Sequence, residues 1–219
     1  MNGRRTLTNV VAGMIVMISS IGAHSATMEW KEEVRLHDGS IVVLNRFYNL
    51  GDRPTLDARE RAALDETVTF SLPGSGKQIK WATDFSDSVP EPNSLNLLLL
   101  DVVNGVPYIA TYPAGCIAYN KWKRPNPPYV FFKYESEEWK RIPLAEFPAK
   151  LTKSNVIVGR PPSESLKSFY TVAQVEERNH YLPHEYKTIL RDPLPQERCP
   201  QYSSGPKPPI PIIPGGSPK

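Results

Sequence analysis

The sequence predicts a mainly β protein, an antiparallel meander of hairpins that forms a sandwich or an open barrel with a C-terminal helix packed on it. Three observations carry this. Apolar and polar residues alternate with period two through much of the chain. The alternating runs are joined by turn dipeptides such as Asp38-Gly39 and Asn104-Gly105. Helical patterns are scarce between the runs, whereas a parallel sheet would need a helical crossover between strands.

The first hairpin sets Trp30, Val34 and Leu36 on one face and Lys31, Glu33 and Arg35 on the other. It turns at Asp38-Gly39, read as a type I′ turn, and returns through Ile41 to Tyr48. In the second, Val68, Phe70 and Leu72 alternate with Thr67, Thr69 and Ser71 before Pro73-Gly74-Ser75-Gly76 turns the chain into Ile79, Trp81, Thr83 and Phe85. The third joins Leu95–Val103 to residues 106–112 across Asn104-Gly105. Its first strand is apolar on both faces, which predicts a central place in the sheet. The fourth joins residues 129–134 to 138–142 across Glu135-Ser136-Glu137. Trp139 and Ile142 fall on opposite faces there, so a bulge or a strand covered on both sides is expected.

Residues 49–65 interrupt the rhythm: Asp57 and Glu60 have the spacing of a capping box for a short helix, and a mobile loop is the alternative. A last strand is expected at residues 155–158. Pro161-Pro162 then opens a helix in which Leu166, Phe169, Tyr170 and Ala173 recur at i, i+3, i+4 and i+7. The domain ends near residue 199. Residues 200–219 are rich in proline and glycine and read as an extended or disordered tail. Residues 1–25 read as a secretory signal peptide: Arg4 and Arg5, a short apolar run over residues 10–21, and Ala23-His24-Ser25 at the cleavage site. The run is shorter than the ~20 apolar residues of a spanning helix, so no stable membrane insertion is expected once the leader is removed.

With 40% hydrophobic and 22% charged residues the 219-residue chain has the composition of a globular domain rather than a disordered one. Of its 26 bases two lie in the leader, which leaves 24 against 23 acids. A nearly neutral chain with interleaved charges has no footprint for displacing counterions from phosphates, which argues against a nucleic-acid partner.

The segments WKEEVRLHDG, FSLPG, YNKWKRPNPPYVFFKYE and EWKRIPL together resemble an uncharacterised family of exported bacterial proteins with no assigned function. The resemblance spans most of the mature chain. It implies export, to the periplasm or beyond, and a shared fold, and nothing about chemistry.

Chemistry has to be sought in residues 112–135. Lys121, Lys123 and Arg124 flank Trp122, and Tyr119 and Tyr129 stand nearby, the residue types of a binding surface for an anionic or sugar ligand. Three prolines frame the same stretch, so a solvated connection between strands is the simpler reading. Cys116 and Cys199 are the two cysteines of the chain, and in an oxidising compartment an even count predicts a disulfide between them. Other motifs are weaker. Gly74-Ser75-Gly76-Lys77 lacks the spacing of a phosphate loop. His180 and His184 have the spacing of zinc ligands with Glu176 and Glu185 close by, but Pro183 intervenes, so no metal or other cofactor is expected. His37 reads as an exposed turn residue, and Glu137-Glu138 as a polar turn rather than a glycosidase pair.

Nothing in the sequence assembles a nucleophile, a base and an orienting group. The chain therefore reads as an exported binding or structural module for a protein or glycan of the cell envelope. The alternative is an envelope hydrolase with Cys116 as nucleophile and His37, His180 or His184 as base.

Overall fold

A computed structural model describes residues 26–54, 60–85, 94–197 and 199. The leader, the tail, and Asp57 of the expected capping box lie outside the described residues.

Two sheets pack face to face, so the fold is a sandwich and not a barrel. The first holds β1 (Ala26–Arg35), β2 (Ile41–Pro54), β3 (Arg61–Ser71) and β4 (Gln78–Asp84), with the short β9 (Phe169–Tyr170) at its edge, in the order β4-β3-β2-β1-β9. The second holds β5 (Leu95–Val103), β6 (Val106–Pro113), β7 (Val130–Glu135) and β8 (Glu138–Ile142) in sequence order. All pairings are antiparallel except β1 with β9. The period-two residues meet between the sheets: Val34 and Leu44 of the first sheet pack with Val68, Phe70 and Trp81, and with Leu97 and Ile109 of the second. A second cluster on the outer face of β5–β8, including Tyr129, Phe131 and Ile142, is covered by Phe147, Leu151 and Ile189. A third, at the far end of the first sheet, places Trp30 and Tyr48 under Ile157, Tyr170 and Val175.

The turns follow their side chains, with one correction. Asn104 and Gly105 both take positive φ, 53° and 77°, as a two-residue type I′ turn requires. At the first hairpin only Gly39 is left-handed, at 86°. The Gly39 N–H donates to the Leu36 carbonyl and the Leu36 N–H to that of Ser40, so the loop has three residues and closes through a glycine bulge instead of the expected type I′ turn. Asp38 accepts from the Ser40 amide and hydroxyl, which favours the longer loop.

Four further expectations are corrected. β5 is apolar on both faces but lies at the edge of its sheet, not its centre. A register shift between Leu97 and Leu99 sends Leu97 and Leu100 into the first cluster and Leu98 and Leu99 into the second. The edge is blunted by a side chain: the Asn155 amide accepts from the Leu100 N–H at 3.1 Å and donates to the Leu100 carbonyl at 2.8 Å, as a neighbouring strand would. Residues 155–158 are accordingly not a strand, although Val156 and Ile157 are buried. Within residues 49–65, residues 50–54 and 61–65 extend β2 and β3 across irregular register instead of forming a helix.

The C-terminal helix begins later than its apolar spacing suggests. α2 (Val172–Asn179) starts after Thr171, whose N–H donates to the Gln174 side chain at 3.0 Å, while Glu33 accepts from the Val172 N–H. Phe169 and Tyr170 instead pair with Lys31 and Glu32, so their side chains diverge: Tyr170 is buried and Phe169 is 40% exposed. β8 touches both clusters, with Trp139 against the first and Ile142 in the second, but it is neither bulged nor covered on both faces: Glu138, Lys140 and Arg141 are exposed.

Candidate functional site

The basic and aromatic stretch is built into the fold. Behind Pro113, α1 (Cys116–Lys121) carries Ala118 and Tyr119 inward, and the Tyr119 side chain is fully buried. Trp122 is half-buried against the core, edge-on to Phe132 and beneath the Arg141 guanidinium, 5.2 Å from its ring. Arg124 lies 5.1 Å from the Tyr119 ring and donates to Asn120, Glu197 and the Cys199 carbonyl. Tyr129 is buried, its hydroxyl donating to the carbonyls of Glu185 and Thr188; burial pushes its pKa up to about 12. Of the five residues in the expected binding surface, Tyr119, Trp122, Lys123, Arg124 and Tyr129, only Lys123 is exposed. Lys123 apart, the groups that suggested an external ligand are engaged within the fold.

The same stretch anchors the C-terminal segment. Cys116 and Cys199 form a disulfide with a Cα separation of 5.6 Å. Asn126 donates to the Leu194 carbonyl and accepts from its N–H, at 3.0 and 2.7 Å. Arg191 donates to the carbonyls of Leu144, Phe147 and Pro148. Cys116 thus serves as a clasp, and the bonded sulfur offers no thiolate nucleophile.

His180 caps the end of α2 while His184 begins α3 (His184–Lys187), so they do not share one helix face as zinc ligands four apart would. Gly74 and Gly76, at φ 82° and 67°, turn the β3–β4 hairpin, and Lys77 pairs with Glu137 across the sandwich. No helix follows that loop, so it is no phosphate cradle.

Two polar constellations escaped the sequence reading. One is a cleft of about 460 Å³ bounded by the first hairpin loop, β5, residues 150–155 and α2. His37 is an exposed turn residue, as expected, but its ring is held there by Asp101 of β5. The carboxylate accepts from the His37 backbone N–H at 2.8 Å, from the Val102 N–H at 2.7 Å and from His37 Nδ1 at 2.6 Å. A carboxylate acceptor places the proton on Nδ1 and leaves Nε2 without a partner among the described residues. Asp101 is 3% exposed, the His37 side chain 20%. The signal was a single acid inside the run LLLLDVV, where an unpaired charge would be costly.

The other is a buried charge network in the first sheet. Arg46 of β2 donates to Glu32 of β1 at 2.9 Å, to Glu66 of β3 and to the Ile157 carbonyl. Glu32 also accepts from the Trp30 indole and the Ile157 N–H. The Arg46 guanidinium stands 5.0 Å from the centre of the Trp30 ring, which stacks on Tyr48. Burial raises the Glu32 pKa, and the neighbouring Arg46 charge offsets this only in part. Burial works against the Arg46 cation, but Glu66, Tyr48 and Glu32 together hold its pKa well above the usual value. Alternation already placed Glu32 with Trp30 and Val34, Arg46 with Leu44 and Tyr48, and Glu66 with Val68. Two acids and a base on the inward face of three adjacent strands can only be paired.

The charged side chains of the network are fully buried and hold the sheet, whereas in the cleft polar groups converge on open space. Comparison with known proteins finds no matching family model, no matching curated protein and no matching solved structure.

Proposed function

We propose that this protein is an exported binding module, periplasmic or secreted, whose ligand site is the His37–Asp101 cleft. The observation that carries the reading is the buried carboxylate fixing a histidine at the wall of a cleft whose floor is apolar: a few oriented polar groups on a hydrophobic lining make a small-molecule site. The disulfide suits an oxidising compartment, and no helix among the described residues is long and apolar enough to cross a membrane. The earlier surface at Tyr119–Tyr129 gives way to the cleft because its groups are already engaged.

A hydrolase is the weaker reading. Cys116 is committed to the disulfide, and a histidine oriented by an acid still needs a nucleophile. Among the described residues no hydroxyl is bonded to His37, and that of Ser154 is turned to the Lys187 carbonyl at 3.5 Å. Native mass spectrometry of protein purified from its own envelope tests the proposal. The wild type should retain a ligand or partner mass, and Thr152→Trp, at an exposed position on the cleft wall, should lose it while keeping the wild-type circular dichroism. Equal retention by both proteins, or by neither, would sink the assignment of the site.

A further inference from the structure

We infer that the cleft takes a small amphiphilic anion, a carboxylate or phosphate head on a short apolar body; this rests on the cleft being the binding site. The charges around it do not balance. Asp101 is occupied by His37, and Glu176 by Arg35 at 3.4 Å. Lys150 and Lys153 also line the cleft, and neither has an ion pair among the described residues. The two unpaired ammonium groups leave a surplus of positive charge and of donors at the cleft, the complement of an anionic head.

The lysines are presented on a held segment. The Leu151 N–H donates to the Pro148 carbonyl, the Ser154 N–H to that of Lys187, and Lys153 bridges to Thr188. Arg191 fixes Pro148 from below. Their backbone is therefore ordered before a ligand arrives, which lowers the entropy cost of capture. Leu36, Leu151, Val172 and Val175 form the apolar floor, all buried from bulk solvent. Apart from His37 no aromatic ring among the described residues lines the cleft, so a sugar would find no face to stack on and a hydrocarbon body fits better.

Isothermal titration calorimetry of the mature chain with hexyl phosphate and with octanoate, against uncharged octanamide, tests this. Both anions should bind saturably at one site and octanamide should not. Lys150→Ala/Lys153→Ala should weaken the anions at least about tenfold, and Lys150→Arg/Lys153→Arg should restore them, since a merely structural role of the segment would not follow charge. Cosedimentation with phosphatidylglycerol vesicles identifies the source of the anion. Vesicle binding competed by hexyl phosphate assigns a lipid headgroup, and its absence beside saturable hexyl phosphate binding assigns a free anion; either outcome upholds the inference. Failure of both anions to bind, or undiminished binding by the double alanine variant, overturns it. A retained neutral ligand displaced by Thr152→Trp would then leave the cleft as a binding site and remove only the anion.

Discussion

Arg46 is the residue on which the first sheet depends most sharply, because it is one cation between two fully buried carboxylates. Taking one partner from a buried charge group leaves the others uncompensated, which costs about 3–5 kcal/mol. Arg46→Leu should therefore lower stability by about that amount at pH 7. The pH dependence follows from Glu32. Its pKa is raised in the folded state, so the folded protein holds that proton more tightly than the unfolded chain, whose carboxyl titrates near 4.5. The associated stability is fully present below that value and is lost as pH rises through the raised folded pKa. Without Arg46 the carboxyl is pushed higher still, so the variant should recover part of its deficit as pH falls toward 4.5. Urea denaturation of both proteins across pH 4–8 checks this, and a deficit that grows toward acid would contradict it. The three inward charges were legible from alternation alone; that they meet was not, because Glu32 and Glu66 lie 34 residues apart and are joined only through the β1–β2–β3 register.

At the scale of elements, the link from α1 to β7 is packed rather than free. Its proline framing suggested a solvated loop in which replacing Trp122, Lys123 and Arg124 together would cost little. The structure divides them. Trp122 packs against the core between Phe132 and Arg141, so Trp122→Ala should cost roughly 2 kcal/mol, less than the ~3–5 of a fully buried aromatic. Lys123 is exposed, and Lys123→Ala should change stability by under about 0.5 kcal/mol. Thermal unfolding of the two single variants separates them, and equal shifts would show that the link acts as one unit. Composition marked this stretch as unusual but could not say which side of it faces inward. The period-two signal that orients a strand stops at Pro113, and a six-residue helix is too short to replace it.

For the whole molecule, the disulfide joins residues 83 apart and closes the C-terminal segment onto α1. A loop of that length corresponds to roughly 4–5 kcal/mol of lost chain entropy in the unfolded state, less any strain. Unreduced, denatured protein should show no free thiol on labelling. Reduction should destabilise it by up to that amount and open residues 192–199 to protease before residues 184–191, which Tyr129 and Arg191 hold independently. Simultaneous cleavage of both stretches would mean that the disulfide alone carries the whole C-terminal region.

By itself the sequence determined the hairpins of the two sheets, most of their inward residues, the Asn104-Gly105 turn and the cysteine pair. These depend on side-chain alternation, on the φ preferences of a few residues and on there being two cysteines to join. Tertiary structure alone decided that Asn155 covers the edge of β5, that Asp101 holds His37 over a cleft, and that Trp122, Arg124 and Tyr129 are spent on contacts with Phe132, Glu197 and the Glu185 carbonyl. Each of these joins groups 10 to more than 60 residues apart. Such a contact depends on how sheets and connecting segments dock, and no local periodicity records that.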